Sequence, residues 1–210
     1  GKNLVGAFYQ PSLVLVDPRT LDTLPEPEYI NGLGEVVKYG LLDDGLLSYL
    51  EANSARVRRR DRDVLARLIQ TCIAYKAAVV EEDEFDRGRR AVLNLGHTVG
   101  HALEVTLGYG AIAHGQAVGL GLLVALAVSE RLLGLDAEVS ARVRRLLGDW
   151  GLATGVLLPP ADDLLTAARK DKKVGTGGSN FVGVREPGSP VWGLDVSYDL
   201  LRDTLEVIRA

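Results

Sequence analysis

The stretch AVGLGLLVALAVSERLLGL, residues 117–135, is the most apolar part of the chain and sets the first limit on its fold. Apolar residues cover every side of the helix predicted over residues 115–133, which is typical of a helix buried in a protein core. Ser129, Glu130 and Arg131 interrupt the run, so it falls short of the roughly 18 uninterrupted apolar residues expected of a membrane span. A buried core helix is the better interpretation.

Apolar spacing elsewhere in the chain also favours helices, with a few strands near the two ends. The predicted helices cover residues 28–40, 43–57, 60–84, 90–106, 136–149, 161–170 and 198–209. Short apolar runs predict a strand over residues 12–17 and a hairpin of residues 181–186 and 190–197. The fold class is therefore mainly α, a multi-helical domain with a short C-terminal hairpin.

The strand predicted at residues 12–17 (SLVLVD) must pair with strands elsewhere, because a single strand is not stable alone. We expect those strands to belong to another, N-terminal domain. The absence of methionine from all 210 residues also predicts a fragment or processed piece of a longer protein. We therefore divide the chain into residues 1–27, the end of that N-terminal domain and its junction, and residues 28–210, the helical domain.

Charge and cysteine content bear on the partners and the compartment. The formal net charge is −4, whereas nucleic-acid-binding surfaces are usually basic, so no nucleic acid is expected. No signal peptide is visible, and no membrane partner is expected. The single cysteine, Cys72, forms no internal disulfide and suits a reducing cytoplasm. A small anionic substrate is compatible with this composition, since the local positions of lysine and arginine decide such binding.

All three histidines of the chain lie in one short window. Helical spacing over residues 90–106 predicts a single polar stripe of five residues: Arg90, Asn94, His97, His101 and Glu104. The stripe is either a solvent-exposed helix face or one wall of a site, and its small apolar neighbours favour a site that His114 can join. Two histidines and a carboxylate are a common ligand set for catalytic zinc, with the third ligand expected from elsewhere.

Glu35 is a candidate for that carboxylate. Glu35 and Lys38 share one face of a helix in GLGEVVKYG, whose other residues are mostly apolar. If the two side chains are exposed, they form an ordinary surface ion pair that contributes little to stability. If they are buried, the carboxylate and the ammonium need partners, which a metal ion and an anion would supply. The other basic candidates, for which an ordinary solvated charge is the alternative, are Lys76, Arg90, Lys170, Lys172 and Lys173.

Six segments occur in an order and at spacings that match a known family: GKNLVGAFYQP, GEVVKYGLL, KAAVVEEDE, RAVLNLGHTVGHALE, HGQAVGLGL and KDKKV. Over essentially its whole length the chain resembles the C-terminal part of the 3-dehydroquinate synthase family, within the sugar phosphate cyclase superfamily. The resemblance implies a helical C-terminal domain whose N-terminal strand belongs to a Rossmann-like domain, otherwise absent, that holds most of the NAD site. It also implies a homodimer.

The resemblance further implies roles for individual residues. Glu35, His97 and His114 match the zinc ligands, with cobalt as the alternative metal. The residues that match catalytic positions are His101, Lys38 and Asp86. Those that match substrate-binding positions are Asn3, Lys76, Arg90, Asn94, Lys172 and Lys173. Those that match nucleotide-contacting positions are Lys2, Thr20, Leu21, Asp22, Thr23 and Asn31.

The activity implied by the resemblance is the NAD- and zinc-dependent conversion of 3-deoxy-D-arabino-heptulosonate 7-phosphate to 3-dehydroquinate and phosphate, in the shikimate pathway of aromatic amino acid biosynthesis. Two alternatives are a related cyclase, acting on glucose 6-phosphate to form 2-deoxy-scyllo-inosose or on sedoheptulose 7-phosphate, and a non-catalytic metal-binding helical module. His101 disfavours the sedoheptulose branch, where that histidine is commonly replaced. A fragment that lacks the NAD-binding half is expected to be inactive.

Three features depart from the family pattern. Gln116 stands where the family usually has glutamate, and Asp86 stands where a glutamate general base is common. The segment SNFVGVREPGSPVW, residues 179–192, differs from the usual strand. None of these departures removes an expected metal ligand.

Overall fold

The computed structural model describes residues 5–7, 9–108, 110–170 and 181–210. The helices in these residues are α1 Glu26–Leu42, α2 Leu46–Ala52, α3 Ser54–Arg58, α4 Arg62–Glu82, α5 His97–Leu107, α6 His114–Leu133, α7 Ala137–Asp149, α8 Ala161–Lys170 and α9 Tyr198–Leu205. Short 3-10 turns occur at Pro18–Leu21, Arg89–Asn94 and Glu206–Ile208. Strands β1 Phe181–Val184 and β2 Pro190–Leu194 pair antiparallel. The mainly α fold with a C-terminal hairpin is confirmed.

Helix α6 forms the centre of the molecule. It packs against α1, α5, α7, α9 and β1, and its apolar residues from Ala117 to Val128 are almost all buried. By length and composition α6 could cross a membrane, but 72% of its most apolar window is buried inside the protein, as expected of a core helix. The remaining helices form an outer layer, in which α2 packs on α1 and α8 packs on α5.

The predicted strand at residues 12–17 is wrong for this structure. The segment is irregular, and Leu13 and Leu15 are 74% and 82% exposed. The physical reason is that no strand among the described residues lies beside it, so its backbone has no partner with which to form a ladder. Its apolar side chains therefore remain uncovered here.

The predicted continuous helix over residues 90–106 is also wrong. The 3-10 turn Arg89–Asn94 ends at Leu95, Gly96 takes the left-handed conformation with φ of +79°, and α5 begins at His97. Helix α6 lies directly against this turn, because a Cβ on Gly96 would lie 2.9 Å from the Leu122 side chain, and the positive φ also favours glycine. Arg90 and Asn94 are therefore not part of one helical stripe with the histidines.

A second predicted helix, residues 43–57, is divided into α2 and α3 at Asn53. The side chain of Asn53 donates to the carbonyl oxygen of Tyr49, at the end of α2. The remaining helices lie within a few residues of their predicted bounds, and α8 agrees at both ends.

Candidate metal centre

Side chains from three helices bring three potential metal ligands together. The Oε1 atom of Glu35, on α1, is 3.2 Å from Nε2 of His97, on α5, and 3.2 Å from Nε2 of His114, on α6. A tetrahedral zinc ion with bonds of about 2.0–2.1 Å requires its ligand atoms to be about 3.3–3.4 Å apart. The spacing therefore fits zinc, and the predicted convergence of Glu35, His97 and His114 is present in the structure.

Glycines at the crossing of α1 and α6 allow this convergence. A Cβ on Gly34 would lie 2.1 Å from the carbonyl oxygen of Gly115, and a Cβ on Gly115 would lie 1.7 Å from that of Asn31. The helices are therefore in backbone contact beside Glu35 and His114. The side chain of Asn31 also accepts a hydrogen bond of 2.6 Å from the Gly115 amide, which fixes the first turn of α6.

The backbone on the N-terminal side of α5 orients His97. Nδ1 of His97 lies 3.1 Å from the carbonyl oxygen of Leu95. A carbonyl oxygen can only accept, so Nδ1 donates to it, and Nε2 is directed towards Glu35. There Nε2 can donate to the carboxylate when the ring is protonated, or offer its lone pair to a metal when the ring is neutral. The left-handed turn at Gly96 places the Leu95 carbonyl in this position. The break in the predicted helix is thus part of how the site is built.

Lys38 is buried beside the same carboxylate. Its Nζ donates to Oε2 of Glu35 at 2.5 Å, and the residue is only 5% exposed. Burial is the largest single influence on the pKa of the Glu35 carboxyl group, and it raises that pKa. The hydrogen bond with His97 and the positive charge of Lys38 together outweigh burial, so the pKa of Glu35 lies well below its ordinary value. Glu35 is therefore ionised at neutral pH, as a metal ligand must be.

His101 lies one turn beyond His97 on α5 and faces the same centre. Its ring centroid is 5.3 Å from that of His97 and 6.0 Å from that of His114. The side chain is partly buried. This position would allow His101 to exchange protons with a ligand bound at the metal centre, the role expected of it.

Glu104 lies beside the centre and contacts His114, although no role was predicted for it. Its Oε1 lies 3.2 Å from Nδ1 of His114, the ring nitrogen that faces away from Glu35. Glu104 lies seven residues after His97 and three after His101, so helical spacing places all three on one face of α5. That spacing could have pointed to Glu104 in the sequence. Its contact with His114, however, exists only because α6 packs beside α5.

Four other predicted residues have no described contact with the histidines. The guanidinium group of Arg90 donates to the carbonyl oxygen of Glu84 at 2.8 Å. Lys76 and Asn94 are exposed. Asp86 is exposed in the loop after α4, with φ of +56°. Their substrate-binding and catalytic roles stay predictions.

Four of the predicted nucleotide-contacting residues, at positions 20–23, lie in or just after the 3-10 turn Pro18–Leu21, and Asn31 lies on α1. Thr20 donates to the carbonyl oxygen of Asp17 at 2.8 Å, and Asp22 accepts from Arg62 at 2.7 Å. The positions Leu21, Thr23 and Asn31 are also described, and their nucleotide role stays a prediction. The predictions for Lys2, Asn3, Lys172 and Lys173 lie outside the described residues, as does the side chain of Lys170.

Gln116 has a structural explanation. Its amide nitrogen donates to the carbonyl oxygen of Ala153 at 2.7 Å, and its amide oxygen accepts from the Ala153 amide at 2.8 Å. These two bonds tie the first turn of α6 to the segment after α7. A glutamate could make only the second of them, because an ionised carboxylate has no hydrogen to donate.

We therefore expect Gln116→Glu to destabilise the protein by about 1 kcal/mol. The substitution removes the hydrogen bond to the Ala153 carbonyl oxygen and leaves that oxygen facing a carboxylate. Urea unfolding at neutral pH measures this difference. The penalty should shrink in acid, where the new carboxyl group is protonated and can donate again. Glu81→Gln, a one-charge change on an exposed part of α4, is the control. A neutral effect of Gln116→Glu at both pH values would contradict the explanation.

Comparison with known families gives a consistent result. The family model described as 3-dehydroquinate synthase C-terminal matches residues 32–174, well over half of the chain, and the model described as 3-dehydroquinate synthase N-terminal matches residues 1–31. A 3-dehydroquinate synthase from Geobacter metallireducens is 46% identical over 183 residues, covering 87% of this chain and 51% of that protein. One from Methylococcus capsulatus is 45% identical over 211 residues, covering 98% and 58%.

Solved structures of related cyclases have the same fold. A 2-deoxy-scyllo-inosose synthase complexed with carbaglucose-6-phosphate, NAD+ and Co2+ superposes with a TM-score of 0.78 at 26% identity, over 98% of this chain and 59% of that one. The 2-epi-5-epi-valiolone synthase of Streptomyces hygroscopicus has a TM-score of 0.87 at 21% identity, over 99% and 58%, which supports the fold alone. The chain spans somewhat more than half the length of the relatives it matches.

Proposed function

Because the chain belongs to the 3-dehydroquinate synthase family, we propose that it is the metal- and substrate-binding part of an enzyme that converts 3-deoxy-D-arabino-heptulosonate 7-phosphate to 3-dehydroquinate and phosphate. Such a lyase belongs to the shikimate pathway of aromatic amino acid biosynthesis. The observation that carries the proposal is the convergence of Glu35, His97 and His114 on one point. The relatives at 41–46% identity favour this substrate over those of other cyclases.

The proposed cofactors are zinc, or cobalt in its place, and NAD. When bound, they would supply Lewis-acid polarisation of a substrate oxygen and exchange of a hydride. Glu35, His97 and His114 would hold the metal, and the 2-deoxy-scyllo-inosose synthase structure complexed with NAD+ and Co2+ supports both cofactors. We propose that residues 1–27 end the nucleotide-binding domain, because the N-terminal family model covers residues 1–31 and the apolar side chains of residues 13–16 lie uncovered.

The chain's own residues have separate tasks in this proposal. Lys38 holds the Glu35 carboxylate in place, and its positive charge attracts an anionic substrate to the same buried position. His101 takes up or delivers a proton at the ring nitrogen that faces the centre. Lys76, Arg90 and Asn94 are proposed to bind the carboxylate, phosphate and hydroxyl groups of the substrate, and the exposure of Lys76 and Asn94 leaves both side chains available.

Phosphate release by the natural full-length chain, with NAD and zinc, tests this function. We expect turnover with 3-deoxy-D-arabino-heptulosonate 7-phosphate and little with glucose 6-phosphate or sedoheptulose 7-phosphate. His97→Ala should abolish turnover while circular dichroism stays unchanged. Preference for another sugar phosphate would indicate a related cyclase. Zinc binding without turnover of any of the three would indicate a non-catalytic metal-binding module.

The 210-residue chain alone is expected to release no phosphate, because the described residues include no parallel sheet of the kind that binds dinucleotides.

A cytoplasmic location and a homodimer are also proposed. The location is supported by the cysteine content, since the single cysteine, Cys72, forms no internal disulfide, as is usual in a reducing compartment.

A further inference from the structure

The ring of His114 lies between two carboxylates, one at each nitrogen atom. Nε2 is 3.2 Å from Oε1 of Glu35, and Nδ1 is 3.2 Å from Oε1 of Glu104. A neutral imidazole carries one proton, so one nitrogen donates to a carboxylate while the other keeps a lone pair for a metal. The carboxylate that accepts this proton therefore determines which side of the ring can bind metal.

Each side of the ring faces its own group of potential ligands. Glu35 lies at Nε2 and forms one group with His97, whereas Glu104 lies at Nδ1 and forms the other with His101. In each group, with His114 included, the potential ligand atoms are within 4.8 Å of one another. The two groups share His114. As a neutral ligand His114 can serve only one of them at a time, so something must select between them.

Glu35 and Glu104 differ in the other groups that contact them. Lys38 is 5% exposed and 2.5 Å from Oε2 of Glu35, so its charge acts on that carboxylate with little screening by water. Among the residues whose side chains the structure describes, no lysine or arginine forms an ion pair with Glu104. Glu35 also faces Nε2 of His97 through the same Oε1 atom that faces His114, whereas Oε1 of Glu104 faces Nδ1 of His114. Nδ1 therefore has a hydrogen-bond acceptor of its own, and Nε2 is directed to the point that Glu35 and His97 share.

We propose that Glu104 is a positioning residue that keeps the His114 proton on Nδ1 and thereby commits Nε2 to a metal held with Glu35 and His97. Glu104 acts through His114 and does not contact that metal position itself. The geometry is stiff, because Glu104 and His97 are two turns apart on the same helix, α5. The inference rests on the proposed function only in requiring that this metal centre exists.

The test uses the natural full-length chain and two variants, Glu104→Ala and Glu104→Gln. Zinc affinity is measured by competition with a chelator, and the coordination geometry by the visible absorption of the cobalt-substituted protein. We expect Glu104→Ala to weaken zinc binding roughly 10–100-fold, the usual effect of losing an outer partner of a ligating histidine, and to change the cobalt spectrum. Glu104→Gln should lose less, because its amide oxygen still accepts from Nδ1.

Glu81→Ala, on the exposed side of α4, is the matched control and should leave both readouts unchanged. The inference is overturned if wild-type protein binds zinc and Glu104→Ala binds it equally tightly with the same cobalt spectrum. If Glu104→Ala does not fold, an unchanged affinity and spectrum in Glu104→Gln, together with wild-type stability, overturn it instead. A wild-type protein that binds no zinc removes the proposed metal centre itself, which is a different outcome.

Discussion

Zinc binding is expected to fall below detection in Glu35→Ala. The substitution removes one of three protein ligands, so the loss of affinity should exceed the roughly 10–100-fold loss caused by removing an outer partner. It also leaves the ammonium of Lys38 buried without its carboxylate. Breaking a buried pair costs about 3–5 kcal/mol, and the partial exposure of Glu35 places the expected loss at the lower end of that range. Chelator competition and urea unfolding measure the two effects separately.

A second variant separates metal binding from stability. Glu35→Ala with Lys38→Met removes both charges, so the folded protein should recover most of the lost stability while zinc binding stays absent. Lys38→Met alone is expected to keep measurable zinc binding, because all three ligands remain. Zinc affinity in Glu35→Ala close to that of wild-type protein would show that the carboxylate is not a ligand.

Gly115→Ala is expected to destabilise the protein by at least about 3 kcal/mol, the upper end of the usual cost of overpacking, because the obstacle is backbone and not a flexible side chain. The added Cβ would lie 1.7 Å from the Asn31 carbonyl oxygen, so α1 and α6 must separate. That separation moves Glu35 away from His114. Zinc affinity should therefore fall together with the urea midpoint, although no ligand is changed.

Gly32→Ala is the matched control for this prediction. Gly32 lies on α1 near the crossing, but a Cβ there would meet no atom within 4 Å. Alanine should therefore stabilise the helix by about 0.5–1 kcal/mol and leave zinc binding unchanged. Gly115→Ala with wild-type stability and affinity would contradict the close approach of the two helices.

The helices could be predicted because their apolar spacing is local and strong. Helix α6 is apolar on every side, and only a central position in the core satisfies such a helix. The hairpin of β1 and β2 was also predictable from two short apolar runs separated by proline and glycine. The strand at residues 12–17 was not, because a strand depends on a neighbour that local sequence does not reveal.

The parts of the site that could not be predicted depend on contacts between distant segments. Helical periodicity continues through Gly96, whereas the left-handed turn there is fitted closely against Leu122 of α6, a contact between distant segments. Glu104 is on the predicted polar stripe, but its contact with His114 requires α6 to return beside α5. Gln116 departs from the family pattern, and its structural explanation is a hydrogen bond to the backbone of Ala153, 37 residues away, which the local sequence does not reveal.

The central claim is that Glu35, His97 and His114 hold one metal ion. Anomalous diffraction from crystals of the natural full-length chain grown in the presence of zinc tests it most directly. Data collected at the zinc absorption edge should give one strong peak per chain, about 2.0–2.2 Å from Oε1 of Glu35 and from Nε2 of His97 and His114. A peak on the Nδ1 side of His114, beside His101 and Glu104, or no peak at the three ligands, would contradict the claim.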